Sequence, residues 1–311
     1  MLRRLWLILH TVRYLRFKQI WFQIFYRIEK PKPLFAYDDQ FESEKLTPLL
    51  FSEKPPVFVS VIDILGNGFS FLNLEKKFGT TIDWNEQSLG RLWNYNLQYC
   101  NFLLQDEIPY DIRITWLVDL YVNLYEGQVP IEPYPSSLRS INVIRLMTIH
   151  GVDEEILPYL HSELDFLEKH LEFHLLGNHL LENLFTLFMG GAFFDEVKWY
   201  NRAQKLLIEQ LDEQILEDGG HFELSPMYHQ IILFRLLELI DWYSTWRRKE
   251  NGIEVYLKGK AESMLSWIKK MSFKNGNIPH FNDSAEGISY NTQWLLQYGL
   301  ALGLNATVNL P

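Results

Sequence analysis

The chain has 311 residues, 47 % apolar and 15 % aromatic, with 29 Lys and Arg against 39 Asp and Glu for a formal charge of −10. That length and composition build a sizeable core and exclude a disordered chain. The acidic balance argues against nucleic acid as a partner, and a single cysteine, Cys100, excludes an internal disulfide and any zinc site built on several cysteines.

The first thirty residues run against this balance: Arg3, Arg4, Arg13, Arg16, Lys18, Arg27 and Lys30 meet only Glu29. The stretch from Leu5 to Ile28 reads as one or two amphipathic helices, closed by Pro31 and Pro33. Its apolar run is too short to span a membrane, and no small-residue cleavage site follows it. The expected location is therefore cytoplasmic or membrane-peripheral, with residues 1–30 as the part that would meet lipid. Residues 31–56 read as loop. Val57–Ile64 is the one strand-like run, followed by a Gly66-Asn67-Gly68 turn and an irregular patch to Asn85.

From Leu89 onward apolar residues recur at spacings of three and four. The pattern predicts helices over 89–105, 111–126, 136–150, 153–175, 179–193, 196–216, 227–247, 254–272 and 289–302, separated by glycines and prolines. With no alternation of strand and helix, a doubly wound sheet is excluded. The expectation is an all-α body of antiparallel helical hairpins in a ring or layered bundle, over residues 85–311. A basic helix and a small irregular, β-containing segment precede it over residues 1–84.

Two polar stretches open apolar helical runs. In Gly177-Asn178-His179-Leu180-Leu181-Glu182-Asn183, Asn178 offers either a helix cap or an amide donor. His179 and Glu182 share a face, and Asn183 points elsewhere. In Asp218-Gly219-Gly220-His221-Phe222-Glu223-Leu224-Ser225-Pro226-Met227-Tyr228-His229, Ser225 caps a helix with proline in its first turn. The helix dipole there favours phenolate at Tyr228 and neutral imidazole at His229, which makes Tyr228 a candidate for proton transfer. Arg139 and Asn142 lie one turn apart after Tyr134, and Arg139 is a candidate carboxylate clamp. His280 lies in a polar loop before the last helix and is expected to face a cleft. No metal-binding or cofactor-binding motif is present, and none is expected.

These stretches, with Pro279-His280-Phe281-Asn282-Asp283-Ser284 and the aromatic Leu92-Trp93-Asn94-Tyr95-Asn96-Leu97-Gln98-Tyr99, resemble the heparinase II/III-like family of polysaccharide lyases. The resemblance runs from about residue 84 to 302 and implies an incomplete (α/α) toroid followed by a C-terminal β-sandwich. It implies β-elimination at a uronic acid of an acidic polysaccharide, with Asn178 and His179 neutralising the carboxylate and Tyr228 moving a proton. Tyr134, Arg139, Asn142, Glu182, Glu223, His229 and His280 are the expected substrate-binding residues. In that family a second base comes from the sandwich, which is absent from this sequence; a further segment or a partner chain would supply it, or the protein does not turn over. The resemblance extends to proteins of capsule or surface-polysaccharide gene clusters. Two other readings stand beside the lyase. One is a toroid hydrolase using Glu182 and Glu223. The other is a non-catalytic glycan-binding or assembly module.

Overall fold

The computed structural model describes Trp6, His10, residues 17–28 and residues 46–307. Most of the expected basic lead helix lies outside these residues. Its described part, α1 (Phe17–Ile28), turns Phe22 inward to stack on Phe173 at 4.8 Å, while Phe17, Trp21 and Ile24 are exposed. Among the described residues no helix is long and apolar enough to cross a membrane.

A three-stranded antiparallel sheet follows, with β1 (Val61–Asp63), β2 (Gly68–Phe71) and β3 (Leu74–Lys77) in chain order. The strand expected over 57–64 shrinks to three residues, and two further strands occupy the patch read as irregular. The β2–β3 turn is built from Leu72 and Asn73, both in the left-handed region (φ 54° and 61°), which matches a two-residue hairpin. Leu72 gives little sign of such a turn, and β3 exposes most of its side chains, so neither carried a strand signal. Phe69 and Phe71 on one face of β2 pack on Phe102, Trp116 and Trp93, fastening the sheet to the helices.

The helices are α2 (Arg91–Gln98), α3 (Tyr110–Tyr125), α4 (Pro133–His150), α5 (Leu157–Lys169), α6 (Gly177–Phe193), α7 (Val197–Gln214), α8 (Pro226–Thr245), α9 (Asn251–Met271) and α10 (Thr292–Ala301). Two expected helices are shorter than their periodicity suggests. The first breaks at Cys100 (φ 56°) and continues as a 3-10 turn, Asn101–Leu104. The run 153–175 stops at Lys169, and residues 170–176 form an apolar linker into α6. There the Asn183 side chain replaces a helical bond, its Oδ1 accepting the Glu172 N–H at 2.8 Å.

The helical body is a toroid of antiparallel hairpins. α4, α6 and α8 pack side by side as an inner layer, and α5, α7 and α9 return outside them. As inner helices α6 and α8 keep almost no side chain in water, and the polar groups they bury are paired mostly within the protein. Gly191 lets α6 and α7 close together, since a Cβ there would come within 2.6 Å of the Tyr200 nitrogen. Side-chain bonds fix the inner helices as parallel. Asn183 and Thr186 of α6 meet Ser137 of α4, and Arg235 of α8 meets Glu182 of α6. All three therefore begin at one rim.

Candidate functional site

The rim gathers Tyr134 from the start of α4, Asn178 and His179 from the start of α6, and the 218–228 loop that leads into α8. The His179 ring lies 4.3 Å from that of Tyr134. Helix starts leave N–H groups without helical partners and carry partial positive charge, so three of them at one mouth favour an anionic ligand.

The backbone that presents Asn178 is strained. Leu176 has φ 63° and ψ −149°, a region kept almost wholly for glycine, and Gly177 follows at φ 58°. Glu223 reaches across from the second loop, its Oε1 accepting the Asn178 N–H at 2.9 Å. Glu223 thus performs the capping role that the sequence had offered to Asn178. Its carboxylate is engaged with the helix start, although it was expected to bind substrate or catalyse hydrolysis. The Asn178 carboxamide makes no hydrogen bond among the described residues, while the residue is only 8 % exposed.

His179 is more open, its side chain 37 % exposed, and its Nδ1 lies 3.2 Å from Glu172 Oε1. A carboxylate is an acceptor only, so Nδ1 carries the proton and Nε2 is left for a ligand. Asn183 holds Glu172 twice, through its Oδ1 to the backbone and its Nδ2 to Oε2 at 3.1 Å. Asn183 points away from its neighbour Glu182, which faces Arg235, and orients the partner of His179. Glu172 was missed from the sequence because residues 153–175 read as one helix, in which a glutamate beside His170 and His174 gives no sign of a partner in the next helix.

Tyr228 stands in the first turn of α8, where the Ser225 side chain caps the helix by accepting the Tyr228 N–H at 3.3 Å. Its pKa is raised by burial, with the charges of Glu223 and Asp283 adding to the effect. This runs against the expectation that the helix start would favour phenolate: lost solvent and then the nearby carboxylates both favour the phenol. The influence of Glu223 on Tyr228, together with its bond to Asn178, ties the two polar stretches to one place. Ser284 and Asn282 seat the 280–284 loop on the same region, through Ser225 Oγ at 3.0 Å and Leu224 O at 3.0 Å.

Other expected site residues have structural partners. Arg139 is fully buried, paired with Glu163 and donating to Gln98 O at 2.9 Å, so the carboxylate it clamps belongs to the protein. Asn142 is buried and donates to Tyr99 O at 2.9 Å and Asn101 Oδ1 at 2.6 Å. Glu182 is wholly buried, its Oε2 accepting from Arg235 Nε at 2.9 Å and its Oε1 unpartnered among the described residues. Burial raises its pKa while Arg235 pulls the other way. His229 is a core histidine. Its Nδ1 accepts the His221 N–H, its Nε2 lies 3.0 Å from Met264 O, and its ring packs 4.5 Å from that of Trp267. Burial lowers its pKa to about 3. His280 is exposed on the seated loop, with Glu286 3.5 Å from its Nε2. Among the described residues no three His, Cys, Asp or Glu side chains gather as a metal site.

Residues 152–299, which include both polar stretches, match the heparinase II/III N-terminus family. Similar curated proteins are heparin-sulfate lyases from Bacteroides stercoris (33 % identical over 35 % of this chain and 17 % of the relative) and Pedobacter heparinus (28 % over 42 % and 20 %). The chain thus spans about a fifth of the length of these relatives. Among solved structures, heparinase III superposes with a TM-score of 0.60 at 16 % identity, over 84 % of this chain and 47 % of the other. A heparan sulfate lyase mutant from Pedobacter heparinus gives 0.51 at 16 % identity, over 85 % and 44 %. These two likenesses show the helical toroid as a shared fold. The matched segment holds two of the three rim helices, α6 and α8, and over it the chain is similar to heparinase II/III-like proteins.

Proposed function

We propose that this chain is a polysaccharide lyase that performs β-elimination at uronic-acid residues of an acidic polysaccharide. The observation that carries the reading is the Asn178 carboxamide, without a partner among the described residues on a residue only 8 % exposed, beside a histidine whose Nδ1 is already held by Glu172. Removing the proton next to a carboxylate places a second negative charge on that group, so donors aimed at it lower the barrier. The Asn178 amide and His179 Nε2, when protonated, would donate to the carboxylate, with the rim helix starts adding to the field.

Tyr228 holds its proton and therefore acts as an acid. As the C4–O bond breaks, the phenol gives its proton to the leaving oxygen and takes the C5 proton on the same face, while the C5–H electrons form the C4–C5 double bond. The tyrosine ends as it began. The names of the relatives make heparan-type chains the first polymers to try. The test is the ultraviolet absorbance of an unsaturated uronate product, scored over a panel of uronate polymers with a chain of the relatives' full length. Silence across that panel rejects the proposal. The hydrolase reading is not favoured, because Glu182 is sealed in an ion pair and cannot flank a glycosidic bond.

A further inference from the structure

A run of polar aromatic side chains leaves His179 along the rim. Tyr134 lies against the His179 ring, Tyr99 meets Tyr134 edge-on at 5.9 Å, and Tyr95 stacks on Tyr99 at 6.3 Å. Arg91, Tyr95 and Tyr99 are spaced four residues apart and form one stripe on α2 and its end. The Arg91 guanidinium sits 5.0 Å over the Tyr95 ring, with its Nη2 2.7 Å from Glu132 Oε2, which also accepts the Tyr95 hydroxyl at 2.7 Å.

This row has spare hydrogen-bonding capacity. The Tyr99 and Tyr134 hydroxyls make no hydrogen bond among the described residues, although both side chains are mostly buried. Burial, then the neighbouring carboxylates and phenols, raises both pKa values, so each keeps a proton to donate. The Arg91 side chain is 68 % exposed and uses one edge on Glu132, which leaves other N–H groups for an incoming anion. Three carboxylates along the rim have partners within the protein: Glu132 has Arg91, Glu172 has His179 and Asn183, and Glu223 has the α6 start.

We propose that Tyr134 and Tyr99 form a second sugar subsite next to Asn178 and His179, and that Arg91 takes a carboxylate or sulfate on a sugar farther along the same chain. The lyase reading enters only in naming the sugar at Asn178. The geometry makes the rim a groove for an oligosaccharide, with the length preference set by α2.

Calorimetric titration with a uronate-containing disaccharide and hexasaccharide tests this, using the Tyr228→Phe protein so that nothing is cleaved. Arg91→Gln in that background should weaken the hexasaccharide about tenfold, the worth of one charged hydrogen bond, and leave the disaccharide unchanged. The difference should shrink as salt is raised. Tyr134→Phe should weaken both ligands, and Tyr99→Phe the longer one more. Hexasaccharide affinity unmoved by Arg91→Gln and Tyr99→Phe, or no binding of either sugar, overturns the subsite. A hexasaccharide bound at the rim, with no unsaturated product from any polymer of the full-length panel, sinks the lyase reading alone.

Discussion

In the proposed elimination a single hydroxyl, that of Tyr228, carries the proton transfer. Tyr228→Phe should retain most oligosaccharide affinity and lose turnover by about a hundredfold to ten-thousandfold, the usual worth of a positioned acid, as read from initial rates and equilibrium binding. Asn178→Ala should lower kcat rather than raise KM, because its amide meets charge that develops only as the proton leaves. His221 and His229 make a separate prediction about pH. Burial lowers their pKa values to about 4 and about 3 from an ordinary 6.5. The unfolded chain binds protons there that the native state refuses, so stability is full above about pH 6.5 and falls as the pH drops toward these lowered values. Thermal melts across that range should show the loss, and His229→Gln should flatten part of it.

The junction between the 170–176 linker and α6 is where one element sets the site. Gly177 sits at positive φ, and a Cβ there would collide with Glu223 Oε1. Gly177→Ala should therefore cost about 1–3 kcal/mol in denaturant titration, from backbone strain and a displaced cap. Glu223→Gln keeps the shape and removes the charge at the helix start, for a loss of about 0.5–1 kcal/mol. A larger loss for Glu223→Gln than for Gly177→Ala would show that charge, not fit, holds this junction. Little of the junction was legible beforehand. The glycine and the polar run marked a helix start, but Glu223 comes from 45 residues away and Glu172 from a stretch that reads as helix.

Across the whole molecule the inner helices are joined by buried charge. Glu182 of α6 pairs with Arg235 of α8, which also pairs with Glu238, and Glu238 in turn meets Arg145 of α4 at 2.8 Å. Removing one member leaves the others buried without compensation, so Arg235→Ala should cost about 3–5 kcal/mol in chemical denaturation. A loss below about 1 kcal/mol would mean that water enters and replaces the pairing.

The sequence by itself determined the helical character of residues from Leu89 onward, the Ser225-Pro226 start of α8, and the likeness carried by the motifs around 178 and 228. These are local signals: periodicity, caps and short motifs act over one or two turns of chain. The tertiary structure decided which polar residues are spent and which are available. Arg139 and Asn178 are comparable candidates on paper, yet Arg139 is consumed by Glu163 in the core while the Asn178 amide is left without a partner among the described residues. A polar side chain's role depends on the groups packed against it, and here those groups come from helices far apart in sequence.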